Sequence, residues 1–155
     1  MNKIYPKEAF EQIAKNVHND IENYRKEKKS SLVGIKMSDE GLSYTNISSN
    51  FDIYELLSNH LVVEKTKEDQ YDLIALLTAG WAAPVKDDDE NSNLPPSQHP
   101  ERKRVKMTLV GNTHIQYGSV LSISGENEDM FDYMKASGAL AESFVEFMKN
   151  LEPND

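Results

Sequence analysis

The feature that most constrains this chain is the apolar stretch Tyr71–Ala83, with Leu73, Ile74, Leu76 and Leu77 nearly consecutive. Its thirteen residues fall well short of the ~20 that span a bilayer. An apolar run with no polar alternate leaves no wet face. It therefore reads as a strand buried on both faces, although its periodicity also admits a helix. Gly80 and Pro84 punctuate its end and favour the strand.

The flanking patterns place other elements around it. Phe10, Ile13, Ala14, Val17, Ile21 and Tyr24 recur at helical spacing and predict a helix over 6–29, opened by Pro6 and closed by a Lys-rich turn. Leu32–Met37 and Leu42–Ile47 flank Ser38-Asp39-Glu40-Gly41 and read as a hairpin. A short helix over 51–61, capped by Ser49 or Asn50, precedes a polar break at Lys65–Gln70. Arg104–Val110 and Ile115–Ser124 form a second hairpin around Gly111-Asn112, with Arg104, Lys106 and Thr108 on a wet face. Glu126–Asp129 is a loop, and Leu140, Phe144, Phe147, Met148 and Leu151 stripe a last helix over 137–151. This order predicts an α+β fold. Its largely antiparallel sheet, two hairpins plus a long central strand, packs against N- and C-terminal helices lying on one face. The strands 71–83, 104–110 and 115–124 form a meander. The length of 155 residues suits one domain, 1–155, with a long Pro-rich loop at 84–103.

Charge is unevenly distributed. The formal net of −9 resolves into +2 over residues 1–29, −5 over 30–85, zero over 86–124 and −6 over 125–155. The net charge argues against direct nucleic-acid binding. Yet Arg102, Lys103, Arg104 and Lys106 make one local basic spot after the acid run Asp87–Glu90. Cysteine is absent, which excludes disulfides, thiolate nucleophiles and Cys-based metal sites. The first thirty residues are too charged for a secretory signal, so the expected setting is cytoplasmic, without a membrane partner.

Two strings stand out as candidate sites. Trp81, the only tryptophan, lies in Gly80-Trp81-Ala82-Ala83-Pro84. In an apolar run such a residue most often belongs to the core. The alternative is a pocket mouth, where the ring and its N–H meet a ligand. Pro95-Pro96-Ser97-Gln98-His99-Pro100-Glu101-Arg102 is held stiff by its prolines and presents Ser97, Gln98, His99 and Arg102 close together, with Arg104 two residues on. Its plainer account is a loop whose polar side chains satisfy the backbone. Ser97 and His99 do not make a triad by spacing alone, since triads are defined in space. His18, His60, His99 and His114 show no metal-binding spacing, and no Gly-rich phosphate loop is present, so no metal or cofactor is expected.

The segments Gly80-Trp81-Ala82-Ala83-Pro84 and Pro96-Ser97-Gln98-His99-Pro100-Glu101-Arg102-Lys103-Arg104-Val105, with Ser137-Gly138-Ala139-Leu140-Ala141, resemble a family of small uncharacterised proteins of bacteriophages and actinobacteria. The resemblance covers roughly residues 70–148. It implies a phage or phage-derived setting, hence a host cytoplasm, and carries no catalytic role.

Three functions are therefore weighed. The first is a non-enzymatic accessory protein that binds a host or phage protein through an acidic surface, with Glu126, Glu128, Asp129, Asp132, Glu142 and Glu146 as its contacts. The second is a small-ligand or nucleotide module in which Trp81 stacks and His99 and Arg102 hold an anion. The third is a hydrolase using Ser97 and His99 with a distant carboxylate. Homo-oligomers are compatible with each.

Overall fold

A computed structural model describes residues 4–21, 30–47, 52–83, 90, 93–114, 116–135 and 139–151. Helix α1 (Lys7–Asp20) precedes the hairpin β1 (Ser31–Ser38) and β2 (Gly41–Asn46). Helices α2 (Ile53–Ser58) and α3 (His60–Asp69) lead into β3 (Leu73–Ala82). Strands β4 (Lys103–Gly111), β5 (Tyr117–Ile123) and β6 (Met130–Tyr133) follow, and α4 (Ala139–Asn150) comes last. The strands form one antiparallel sheet in the order β2-β1-β3-β4-β5-β6. The α+β fold and the β3-β4-β5 meander expected from the sequence are both present.

Helices cover both faces of the sheet, where the sequence reading placed them on one. Val33, Ile35, Leu73, Ala75, Leu77, Val110 and Val120 face α1, packing on Phe10, Ala14, Val17 and Ile21. Leu32, Ile74, Leu76 and Leu109 face Leu56, Leu57 and Val63 of α2 and α3, and Phe144, Phe147 and Met148 of α4. The physical reason is in β1 and β3. Both strands are apolar at odd and at even positions, so each side of the sheet must be shielded from water.

The helix expected over 6–29 runs from Lys7, and its stretch 22–29 lies outside the described residues, as do Ser49, Asn50 and Ser137. Asp52 caps α2, its carboxylate accepting the Glu55 N–H at 2.9 Å. Asn59 then interrupts the helix and caps α3, accepting from Leu61 N–H at 2.9 Å and Val62 N–H at 3.2 Å. The polar stretch 65–70 is thus mostly helical, not a break. Only Val63 and Thr66 of α3 are buried, and its Lys and Glu residues are the solvent side of a helix. Gln70, in the left-handed region at φ 54°, ends it.

The β4–β5 connection is longer than a Gly-Asn turn. The buried Asn112 accepts the N–H of His114 and of Gln116 on Oδ1, at 3.0 and 3.1 Å. Gln116 Nε2 donates to the Tyr5 carbonyl at 2.6 Å, and its Oε1 accepts the Tyr5 N–H at 2.9 Å. These buried amides tie the N-terminal segment to the sheet. Across the sheet, the Tyr71 ring lies over Gly34 of β1, so close that a Cβ there would meet ring atoms at 2.5–2.6 Å. Burial pushes the Tyr71 hydroxyl above the ordinary tyrosine range, and the neighbouring Asp69 charge adds to the rise.

Candidate functional site

The antiparallel register of β3 and β4 sets Trp81 directly opposite Arg104. Side chains alternate along a strand, so Trp81 and Arg104 share the face that carries α1, reached two rungs earlier by Leu77 and Thr108. Arg102, just before β4, has the same parity. Its guanidinium carbon lies 4.8 Å from the centroid of the Trp81 ring, and that of Arg104 lies 4.9 Å from it. Each contact stabilises by about 0.5–1 kcal/mol at an exposed site. Trp81 is half-buried and both arginines are exposed.

The loop before β4 holds Arg102 in place. Pro96–Gln98 form one turn of 3₁₀ helix packed against β3, with Gln98 N–H donating to the Pro95 carbonyl at 2.9 Å. His99 is buried at 3% exposure, and its Nδ1 accepts the Glu101 N–H at 3.0 Å. A lone pair at Nδ1 puts the proton of a neutral ring on Nε2. The His99 carbonyl accepts both from the Arg102 N–H at 3.2 Å and from Arg102 Nη1 at 3.1 Å. His99 therefore sits inside the loop and orders Arg102 from behind. Ser97 and Gln98 are exposed on the turn, and no hydrogen bond joins Ser97 to His99.

Charge around the cluster is unbalanced. Lys103 projects to the opposite face and meets Glu126 at 3.4 Å, an exposed pair that contributes little. Among the described residues no carboxylate lies within ion-pairing distance of Arg102 or Arg104. A guanidinium laid on an indole keeps its N–H groups off the ring; Arg102 directs one of them to the His99 carbonyl and leaves the others outward, and the stacking removes part of the rotamer freedom that binding would otherwise cost. The result is two forks of donors held near one ring, suited to carboxylate or phosphate oxygens.

The acidic candidates are all exposed but lie on separate elements. Glu126, Glu128 and Asp129 lie in the β5–β6 loop, and Asp132 is on β6. Glu142 and Glu146 stand one turn apart on α4, which packs against α2 and β4.

One cluster escaped the sequence reading. His18 of α1, 4% exposed, places Nδ1 2.7 Å from Thr108 Oγ1 and Nε2 2.7 Å from Ser122 Oγ. Ser122 Oγ donates to Asp129 Oδ1 at 2.6 Å. Because a carboxylate only accepts, Ser122 takes its second bond from His18 Nε2–H, and Nδ1 then accepts the Thr108 hydroxyl in the neutral ring. Thr108, expected on the wet face of β4, is instead fully buried beneath α1. The available signal was the placement of His18 beside Val17 on the apolar stripe, where a histidine needs a polar partner. His18→Ala is expected to lower stability by about 1–3 kcal/mol, read from urea denaturation, because two buried-side hydrogen bonds to the sheet disappear.

No group of three or more His, Asp or Glu side chains is placed to hold a metal ion among the described residues, and none of their helices is long and apolar enough to cross a membrane. No protein-family model, no curated protein and no solved structure matches this chain.

Proposed function

We propose that this chain is a binding protein whose contact surface is the Trp81–Arg102–Arg104 cluster and whose partner carries oxyanions. The observation behind this reading is the pair of exposed guanidiniums on one ring, 4.8 and 4.9 Å from its centroid, with no carboxylate of the described residues to neutralise them. A binding role also agrees with the accessory, phage-type setting that the loop resemblance implies. A partner reaching this surface exchanges hydration of both cations for charge-assisted hydrogen bonds. Two guanidiniums already lie against the ring, so this reading places recognition on the anion. Ser97 and Gln98, on the adjoining turn, are the neutral polar groups at its border. A second reading, an acidic surface that meets a basic partner, draws on the exposure of Glu126, Glu128, Asp129 and Asp132 along one hairpin.

Trp81 is the only tryptophan, so its emission reports this site alone. Titration at low ionic strength with a hexaglutamate peptide, inorganic phosphate and a nucleoside triphosphate is expected to give a saturable change with at least one of them. Replacing both arginines (Arg102→Gln with Arg104→Gln) is expected to weaken that binding tenfold or more, since a hydrogen bond to a charged group contributes about 1.5–3 kcal/mol. Emission unmoved by all three anions would sink the reading.

A further inference from the structure

We infer that the partner of this cluster is the acidic β5–β6 loop of a second copy of the chain, in a two-fold symmetric dimer. The inference rests on the oxyanion reading of Trp81, Arg102 and Arg104 and names its partner. The antiparallel ladders place the two charges on one face. Arg104 is opposite Trp81, and the next rung on that face joins Lys106 of β4 to Ser122 of β5. The Ser122 hydroxyl is bonded to Asp129, which brings that carboxylate to the same face beyond β5. With strands ~4.8 Å apart and alternate residues ~6.7 Å apart, the arginines and Asp129 are separated by roughly 12 Å. A two-fold axis lying parallel to this face, perpendicular to the line between them and through its midpoint, sets the arginines of each copy against Glu128 and Asp129 of the other. The contact is then the same patch on both copies, as a closed dimer requires.

Pairing within one chain is blocked by the same arrangement. Arg102 and Arg104 are laid on Trp81, and the loop acid Glu126 is turned to Lys103 on the other side. Glu128 has no ion-pair partner among the described residues. The net charge of −9 opposes association at long range, but at physiological salt it is screened beyond about 8 Å, so the local complementarity decides.

Sedimentation velocity of the full chain across a wide concentration range tests this. The expected result is a dimer at 0.1 M NaCl whose dissociation constant rises at least tenfold at 1 M. The Arg102→Glu/Arg104→Glu variant and the Glu128→Lys variant are each expected to be monomeric. Mixed in equal amounts, they are expected to recover the dimer, because each then offers the charge the other lacks. That recovery also shows that both variants are folded. If they do not fold, Arg102→Gln/Arg104→Gln and Glu128→Gln are read in their place for a tenfold loss of affinity. A chain monomeric at every concentration overturns the inference, as does a dimer indifferent to these substitutions. If the monomeric chain still shows a Trp81 response to hexaglutamate, the oxyanion reading stands and only the dimer falls. Silence in both measurements removes both.

Discussion

Phe144→Ala is expected to remove about 3–5 kcal/mol of stability, the cost of deleting a fully buried aromatic side chain together with the cavity it leaves. Phe144 is 0% exposed and packs, with Phe147 and Met148, on the side of the sheet opposite α1. Its ring also lies close to the backbone of β4, since a Cβ on Gly111 would come within 3.3 Å of Phe144 Cε2. That glycine lets α4 approach the strand and adds no side chain of its own to fill the void; Met148, which packs at the same point, is the one neighbour there that can shift toward it. Against a total of about 5–15 kcal/mol for a domain, the loss is a large fraction. At about 2–4 °C per kcal/mol for a chain of this size, the thermal midpoint is expected to fall by roughly 6–20 °C. Calorimetry on the variant checks this, with Glu146→Ala on the exposed side of the same helix as a control expected to change stability by less than about 0.5 kcal/mol.

Gly34→Ala is the second. Alanine normally gains about 0.5–1 kcal/mol over glycine inside a strand, because it loses less backbone entropy on folding. Here the sign is expected to reverse. The added methyl would lie 2.5–2.6 Å from three ring atoms of Tyr71, nearer than carbon atoms can approach. The ring has little room to withdraw, being 7% exposed, within the cluster formed with α2, α3 and α4. Overpacking of this kind costs about 1–3 kcal/mol. A double-mutant cycle separates the two effects. In a Tyr71→Ala background the same Gly34→Ala change is expected to become neutral or stabilising, and equilibrium urea denaturation of the four proteins measures it. A Gly34→Ala penalty equal in both backgrounds would place the cause elsewhere than in the ring.

These two residues also show what could be read from the chain before its fold was known. Phe144 is legible, because its helical spacing with Leu140, Phe147, Met148 and Leu151 marks an apolar stripe without reference to any other element. The strand β3 is legible for a similar reason, since adjacent apolar residues at Leu73–Leu77 exclude a wet face. Gly34 is not, because the need for glycine arises from Tyr71, which reaches it only through the β1–β3 register. Helix α3 was hidden by its own solvent side, where Lys65, Lys67, Glu68 and Asp69 mimic a polar loop. β6 was hidden by its four-residue length beside the acidic turn. The candidate site divides in the same way. Trp81, Arg102 and Arg104 could be nominated by type, but their meeting depends on Trp81 lying opposite Arg104 across two strands that are separated by a long loop. His99 has the chemistry of a site residue in the sequence, and burial gives it a supporting position within the loop.

The order β2-β1-β3-β4-β5-β6 bears on how this chain must assemble. Four of its ladders join strands that are neighbours in sequence, and only β1–β3 does not. Its pairs, from Ser31↔Leu77 to Ile35↔Leu73, close a loop that contains β2, α2 and α3. The β1–β2 hairpin and the β4-β5-β6 strands can each form from local encounters, whereas this seam brings distant segments together before it gains its reward. The centre of the sheet, the most deeply buried part of the finished molecule, is thus also the place where its two halves meet late.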